Sequence, residues 1–491
     1  MPTRRSFAWK YVVPVAVAEL VVQVAFANGY GYHRDELYFR TAARHPAFGY
    51  DDQGPFTPLL ARLDEALFGE STRGLRVASA VAVALVVLVV ALLARELGAG
   101  ATGQLVAAGC TAVSTFVVVL GHLLSTETFD ALAWTALVLV AARILGGGDA
   151  RLWLAAGTIV GVGLQNKQLP LLLVVALVLG LALDRRLFEV LRSKWLWLGV
   201  AVAGAIWLPN LLWQSTHGWP QLELAVDIRN DEGAESRVTL IPFQLLIVGP
   251  LLAPVWIGGL VALLRDERLR PWRWLGFAYL SLLVVLFLLA GKPYYAGPLV
   301  LCLLAPGAVA AERWLRATTR RVLLAAAVGA TAALSVTIAL PVIPVGSLHD
   351  TPVADISDDV GETVGWPTFV RTVAGVYASL AARERQTAVI FTGNYGEAGA
   401  IDRFGPEYGL PRAYSGHNAY ARFGVPPDRA GPVILIGYGE PVTDFEQCRP
   451  AAVVDNGVDL ENEEQGGTIF VCAAPTKAWS DLWPSLRHLD A

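Results

Sequence analysis

Apolar runs dominate the first two thirds of the chain, and charged residues collect in the gaps between them. Runs near the roughly 20 residues needed to cross a bilayer as a helix fall at about 11–28, 76–95, 103–121, 126–143, 151–165, 168–184, 195–213, 240–264, 274–291, 294–311 and 321–342. The pattern predicts a polytopic α-helical membrane protein with about eleven transmembrane helices over residues 1–342. After residue 342 the period changes. "TAVIFTG", "PVILIGYG", "AAVVDNG" and "GTIFVCA" are short β-branched runs parted by Gly/Pro turns, with one helical stretch near 396–404. That predicts a C-terminal α/β domain over 343–491. Between the first two spans, a loop at 29–75 holds "GPFTPLLARLDEALFGE", where Leu59, Leu60, Leu63 and Leu67 share one helical face. A helix lying along the membrane interface fits that spacing.

Composition supports this reading. The 491 residues are 55% hydrophobic and 16% charged, with a mean hydropathy of +0.50, against about 25% charged in a soluble protein. The net charge of −4 gives no sign of a nucleic-acid partner. The first apolar run lacks a small-residue cleavage site, so it reads as a retained helix. With "RRSFAWK" placed in the cytoplasm, the basic segments "DRRLFEVLRSK", "RDERLRPWR" and "ERWLRATTRR" also face inward, as the positive-inside rule expects. The 29–75 loop and the tail then face outward. Cys110 and Cys302 fall within spans as apolar fillers. Cys448 and Cys472 lie in the outer domain, where a disulfide is expected.

An ionised group in the bilayer costs about 2.5–3.5 kcal/mol on insertion scales, so each needs a reason. His33, Arg34, Asp35 and Glu36 follow the first span in "GYGYHRDELYF"; Asp51 and Asp52 follow in "GYDDQGP". Glu127 and Asp130 in "STETFDALAW" share a helix face three residues apart, and Lys167 and Lys292 stand at span junctions. Each has a plain alternative: solvation past a helix end, snorkelling, or turn chemistry at Asp51-Asp52. "GNYGEAGA" at 393–400 invites a phosphate-loop reading, but it is not GxGxxG, and an ordinary strand-to-helix turn suits it better. Taken together, all the clusters fall on the outer side. Carboxylates there suit a base that deprotonates an acceptor hydroxyl, while cations or a metal hold a departing phosphate.

Five segments then show a resemblance in order: "YHRDELYF", "GYDDQGPFTPLLARL", "STETFDALAW", "GLQNKQLPLLL" and "KPYYAGPLVLCLLAPG". Together they resemble the bacterial branch of the protein-mannosyltransferase-like family, glycosyltransferase family 39 of the GT-C superfamily, near the aminoarabinose-to-lipid A transferases. The resemblance covers about residues 10–315. It implies Asp35, with Glu36 beside it, as the catalytic residue of the first outer loop, a general base or an anchor for the acceptor. His33, Arg34 and Asp52 become candidate substrate-binding neighbours. By the same resemblance Glu127 and Asp130 line the cavity and are candidates for a divalent metal ion or the acceptor. Lys167 and Lys292 are candidate partners of the donor phosphate, with Tyr294 and Tyr295 as cavity wall. The chain departs from its relatives in reading "DDQGPFTP" where they often read "DHPPL" or "DKPPL".

The implied activity is transfer of a sugar from a polyprenyl-phosphate donor to a lipid, polysaccharide or protein of the bacterial envelope, at the outer face of the cell membrane. The competing reading is a transporter or flippase of the intact lipid-linked sugar, which needs no base. The absence of internal repeats counts against it.

Overall fold

A computed structural model describes residues 5–440 and 442–490, and the chain divides into two compact units. The first comprises residues up to 27, Gln53–Phe56 and Arg76–Leu340; the second comprises Asn28–Asp52, Thr57–Leu75 and the residues from Pro341 onward.

In the first unit, seven helices among the described residues are long and apolar enough to cross a membrane: Trp9–Phe26, Thr72–Glu96 (its first residues belonging to the second unit), Thr126–Leu145, Lys194–Thr216, Glu267–Leu289, Pro293–Trp314 and Thr318–Ala339. The run expected at 103–121 is a bent pair, Ala101–Ala112 and Thr115–His122, meeting at 56°. Three apolar helices are shorter: Leu152–Leu164, Pro170–Leu183 and Ala253–Arg265. The span expected at 240–264 is two helices, Gly233–Ile247 and Ala253–Arg265. Gly249 has φ +83° and Pro250 offers no N–H, so the helical ladder ends between them. The core is made of Val83, Val86, Leu93, Trp134 and the run Leu299–Ala305. Helix approach depends on small residues. A Cβ on Gly157 would stand 2.0 Å from the Gly199 carbonyl oxygen, so these helices meet backbone to backbone. Exposed apolar side chains on Lys194–Thr216, including Trp197, Val200, Leu208 and Leu212, are what a lipid-facing helix presents.

The second unit holds a five-stranded sheet. Its strands are β1 (Val389–Thr392), β2 (Ala413–Ser415), β3 (Val433–Ile436), β5 (Arg449–Val453) and β6 (Thr468–Cys472), in the order β2-β1-β3-β6-β5; β4 (Phe445–Glu446) and β7 (Ala474–Pro475) form a separate pair. β1 is parallel to β2 and β3, with Ile390 opposite both Ala413 and Ile434, while β6 runs antiparallel to β3 and β5. The two central parallel strands, "VIFT" and "VILI", are buried along their whole length. A sheet covered on both faces calls for such unbroken apolar runs. Cys448 and Cys472 are joined by a disulfide.

Two further features of the loop at 29–75 emerge. Apart from 53–56 it belongs with the tail, not with the spans where the 1–342 division placed it. The reason is packing: helix Arg34–Arg44 lies against helix Tyr395–Phe404, and Asp51, fully buried, accepts both Nε and Nη2 of Arg422 at 2.6 and 2.8 Å. The helix Phe56–Phe68 does expose Leu59, Leu63 and Leu67 on one face.

Candidate active site

Asp35 stands in the first turn of the helix Arg34–Arg44. The chain enters that helix through a capping arrangement: the Glu36 carboxylate accepts the His33 backbone N–H at 2.9 Å. Glu36 is fully buried in this role. An acidic first turn suits the positive end of the helix dipole. Asp35 is only half-buried. Its Oδ1 accepts the Tyr395 hydroxyl at 2.8 Å, and among the described residues Oδ2 has no hydrogen-bond partner.

Tyr395 comes from the tail's strand-to-helix turn, which is the "GNYGEAGA" segment. Asn394 caps the helix by accepting Glu397 N–H at 2.8 Å, and no phosphate-loop pattern is involved. The Tyr395 ring is fixed on three sides. It stacks on Tyr38 with centroids 4.7 Å apart, meets the His417 ring at 4.5 Å, and lies 5.0 Å from the Arg34 guanidinium carbon. Burial, then the charge of Asp35, holds the Tyr395 phenol well above its ordinary pKa. Tyr38 donates its hydroxyl to Asp52 Oδ1 at 2.6 Å, and burial followed by Asp52 raises its pKa likewise. Both phenols are therefore proton donors at any working pH.

The two basic members of the first cluster are turned to acidic residues of the tail. His33 Nε2 stands 3.0 Å from Glu362 and 3.6 Å from Asp359, and Arg34 pairs with Glu362 and Glu463. Burial works against charge on His33, yet the hydrogen bond to Glu362 and the charges of Asp35, Glu362 and Asp359 lift it to about 9. On the other side of the ring, the Asp35 amide donates to His33 Nδ1 at 3.2 Å. No local motif marks Glu362 or Asp359, and Tyr395 falls in "GNYGEAGA", which the sequence marks only as a strand-to-helix turn.

In the first unit, Lys167 Nζ lies 2.8 Å from Glu127 Oε1. Asp130, buried, accepts the Asn166 amide at 3.0 Å, and Asn166 also donates to the Thr126 carbonyl at 2.7 Å. The segment after Asp52 is held on the same turn: the amides of Gly54 and Phe56 donate to the carbonyls of Asn166 and Gln165 at 2.9 and 3.0 Å. A Cβ at position 54 would stand 2.0 Å from the Gln165 oxygen, which explains why glycine occupies that position in "DDQGPF". Glu127, Asp130 and Lys167 are thus brought together. Lys292 instead stands 3.1 Å from Glu232, and Tyr294 and Tyr295 meet edge to face at 4.9 Å. Among the described residues no group of three or more His, Cys, Asp or Glu is placed to hold a metal ion. Beside Glu127 the cation present is the Lys167 ammonium, so Glu127 and Asp130 do not by themselves fit a metal site.

Comparison with known proteins adds to this geometry. Residues 52–213 match the family model for dolichyl-phosphate-mannose-protein mannosyltransferases. No curated protein sequence matches the chain significantly. By structure the chain is similar to ArnT from Cupriavidus metallidurans bound to undecaprenyl phosphate, with a TM-score of 0.58 at 14% identity, over 94% of this chain and 98% of that one. The apo form of ArnT gives a TM-score of 0.55 at 15% identity, over 94% and 97%. At these identities the likeness is one of fold.

Proposed function

We propose, from residues 52–213 that match a mannosyltransferase family and from a fold shared with ArnT, that this chain is a membrane glycosyltransferase that uses a polyprenyl-phosphate sugar. The donor loses its sugar to an envelope acceptor (lipid, polysaccharide or protein) on the extracytoplasmic side of a bacterial cell membrane. The observation that carries the reading is the state of Asp35. It is a half-buried carboxylate with one oxygen held by a phenol and the other open to a proton.

In the proposed reaction Asp35 Oδ2 takes the proton of the acceptor hydroxyl. The freed oxygen forms a bond to the anomeric carbon as the bond from that carbon to the phosphate oxygen breaks, and the polyprenyl phosphate leaves with both electrons. A single in-line displacement inverts the anomeric centre. Lys167, paired with Glu127 within the first unit, remains the candidate partner of the donor phosphate that the sequence resemblance implies.

The test is Asp35→Asn in membranes supplied with a panel of radiolabelled undecaprenyl-phosphate pentoses and hexoses. Loss of a general base costs about 10²–10⁴-fold in rate, so transfer should fall at least 100-fold. Full retained transfer would remove Asp35 from the mechanism. Release of free undecaprenyl phosphate on turnover separates this reading from a transporter, which would move the donor intact.

A further inference from the structure

The tail domain touches the carboxylate assigned to chemistry. We propose that Tyr395, from the turn after β1, is the positioning residue for Asp35, so that the sheet domain is a working part of the active site and not a cap over it. This deepens the proposed function and rests on it.

A carboxylate in the first turn of a helix is free to rotate about its side-chain bonds, and a base acts only from within hydrogen-bond reach of its proton. The 2.8 Å bond from the Tyr395 hydroxyl fixes Oδ1 and leaves Oδ2 as the oxygen that can take a proton. Positioning is only as good as the rigidity of the group that does it. The Tyr395 ring cannot swing, because Tyr38, His417 and Arg34 pack around it. Its backbone is equally fixed: Asn394 caps the helix that Tyr395 begins, and the Tyr395 amide points at His417 Nδ1, 3.4 Å away. Two glycines bring this helix close enough. A Cβ on Gly396 would stand 2.8 Å from the Arg34 Cβ, and one on Gly399 would stand 2.8 Å from the Leu37 Cβ. Burial keeps the phenol protonated, hence always a donor.

The experiment uses the full chain in proteoliposomes with the radiolabelled donor panel, comparing wild type, Y395F, D35N and the double variant. A hydrogen bond to a charged group is worth roughly 10- to 100-fold in rate when it acts in the transition state. Y395F should lower kcat by about that factor with KM for the donor changed less than about twofold, and D35N/Y395F should be no slower than D35N. Wild-type kcat in Y395F alongside an inactive D35N overturns the positioning role and leaves the base. A raised KM at constant kcat also overturns it, in favour of donor binding. An active D35N overturns the base and this inference with it. If Y395F lowers the yield of folded protein, 3,5-difluorotyrosine at position 395 keeps the ring's shape. A more acidic phenol weakens the base it holds, so kcat should fall about two- to fivefold; an unchanged kcat overturns the proposal.

Discussion

Glu397 sits on the solvent-poor side of the turn that presents Tyr395, 3% exposed, with Gly437 packed against its carboxylate. Burial first, then the charge of Glu464, raises its pKa from 4.5 to about 8, and Glu464 is itself raised to about 7 by burial and by Glu463. Both carboxyls are more easily protonated folded than unfolded. Their contribution to stability is therefore complete below pH 4.5 and is lost as pH rises through about 7 to 8. Thermal melting of the purified protein should show the Tm falling across that window, and Glu397→Gln should flatten the slope; an equal slope in the variant would refute the assignment. Asp35 was legible in the sequence because carboxylates beside an apolar run demand a reason. Its partner was not, because Tyr395 is 360 residues away and a tyrosine in a turn carries no such demand.

At the scale of elements, the segment "GNYGEAGA" shows what a pattern can and cannot tell. Its spacing announced a strand followed by a helix, and the structure has β1 and the helix Tyr395–Phe404 there. The glycines suggested phosphate, but they serve close packing. Gly399 faces the backbone of Leu37, where a Cβ would come within 2.9 Å of the carbonyl carbon. Backbone cannot yield as a side-chain tip does, so Gly399→Ala should cost about 1–3 kcal/mol. A lower Tm together with reduced transfer, since Tyr395 moves with its helix, is the expected result. Unaltered melting would mean the two helices have room to part. The membrane helices were easier to read, because length and hydropathy alone define them. The break at Gly249-Pro250 has no mark in the hydropathy, because the apolar run continues across it.

Seen as a whole molecule, the second unit is assembled from distant pieces: residues 28–52 and 57–75 fold with residues from 341 onward. Hydrophobic periodicity marks out the apolar helices and the stretches between them but says nothing of which pieces join. Buried contacts such as Asp51 with Arg422 make the join. Removing everything after residue 340 leaves Asp51 without that guanidinium and Asp35 without its phenol. In such a truncated chain the 28–75 loop should be cut by added protease within minutes, under conditions where the full chain resists. Equal resistance would show that the loop folds by itself. A carboxylate stranded in a dry place costs several kcal/mol, which is why resistance is not expected.

That discontinuity sets a timetable for synthesis. The ribosome delivers Asp35 early and Tyr395 late, and among the described residues six of the seven long apolar helices are made in between. A half-made chain thus carries its acid without the phenol that holds it, and the proposed reaction has its positioned carboxylate only once the last segment has folded.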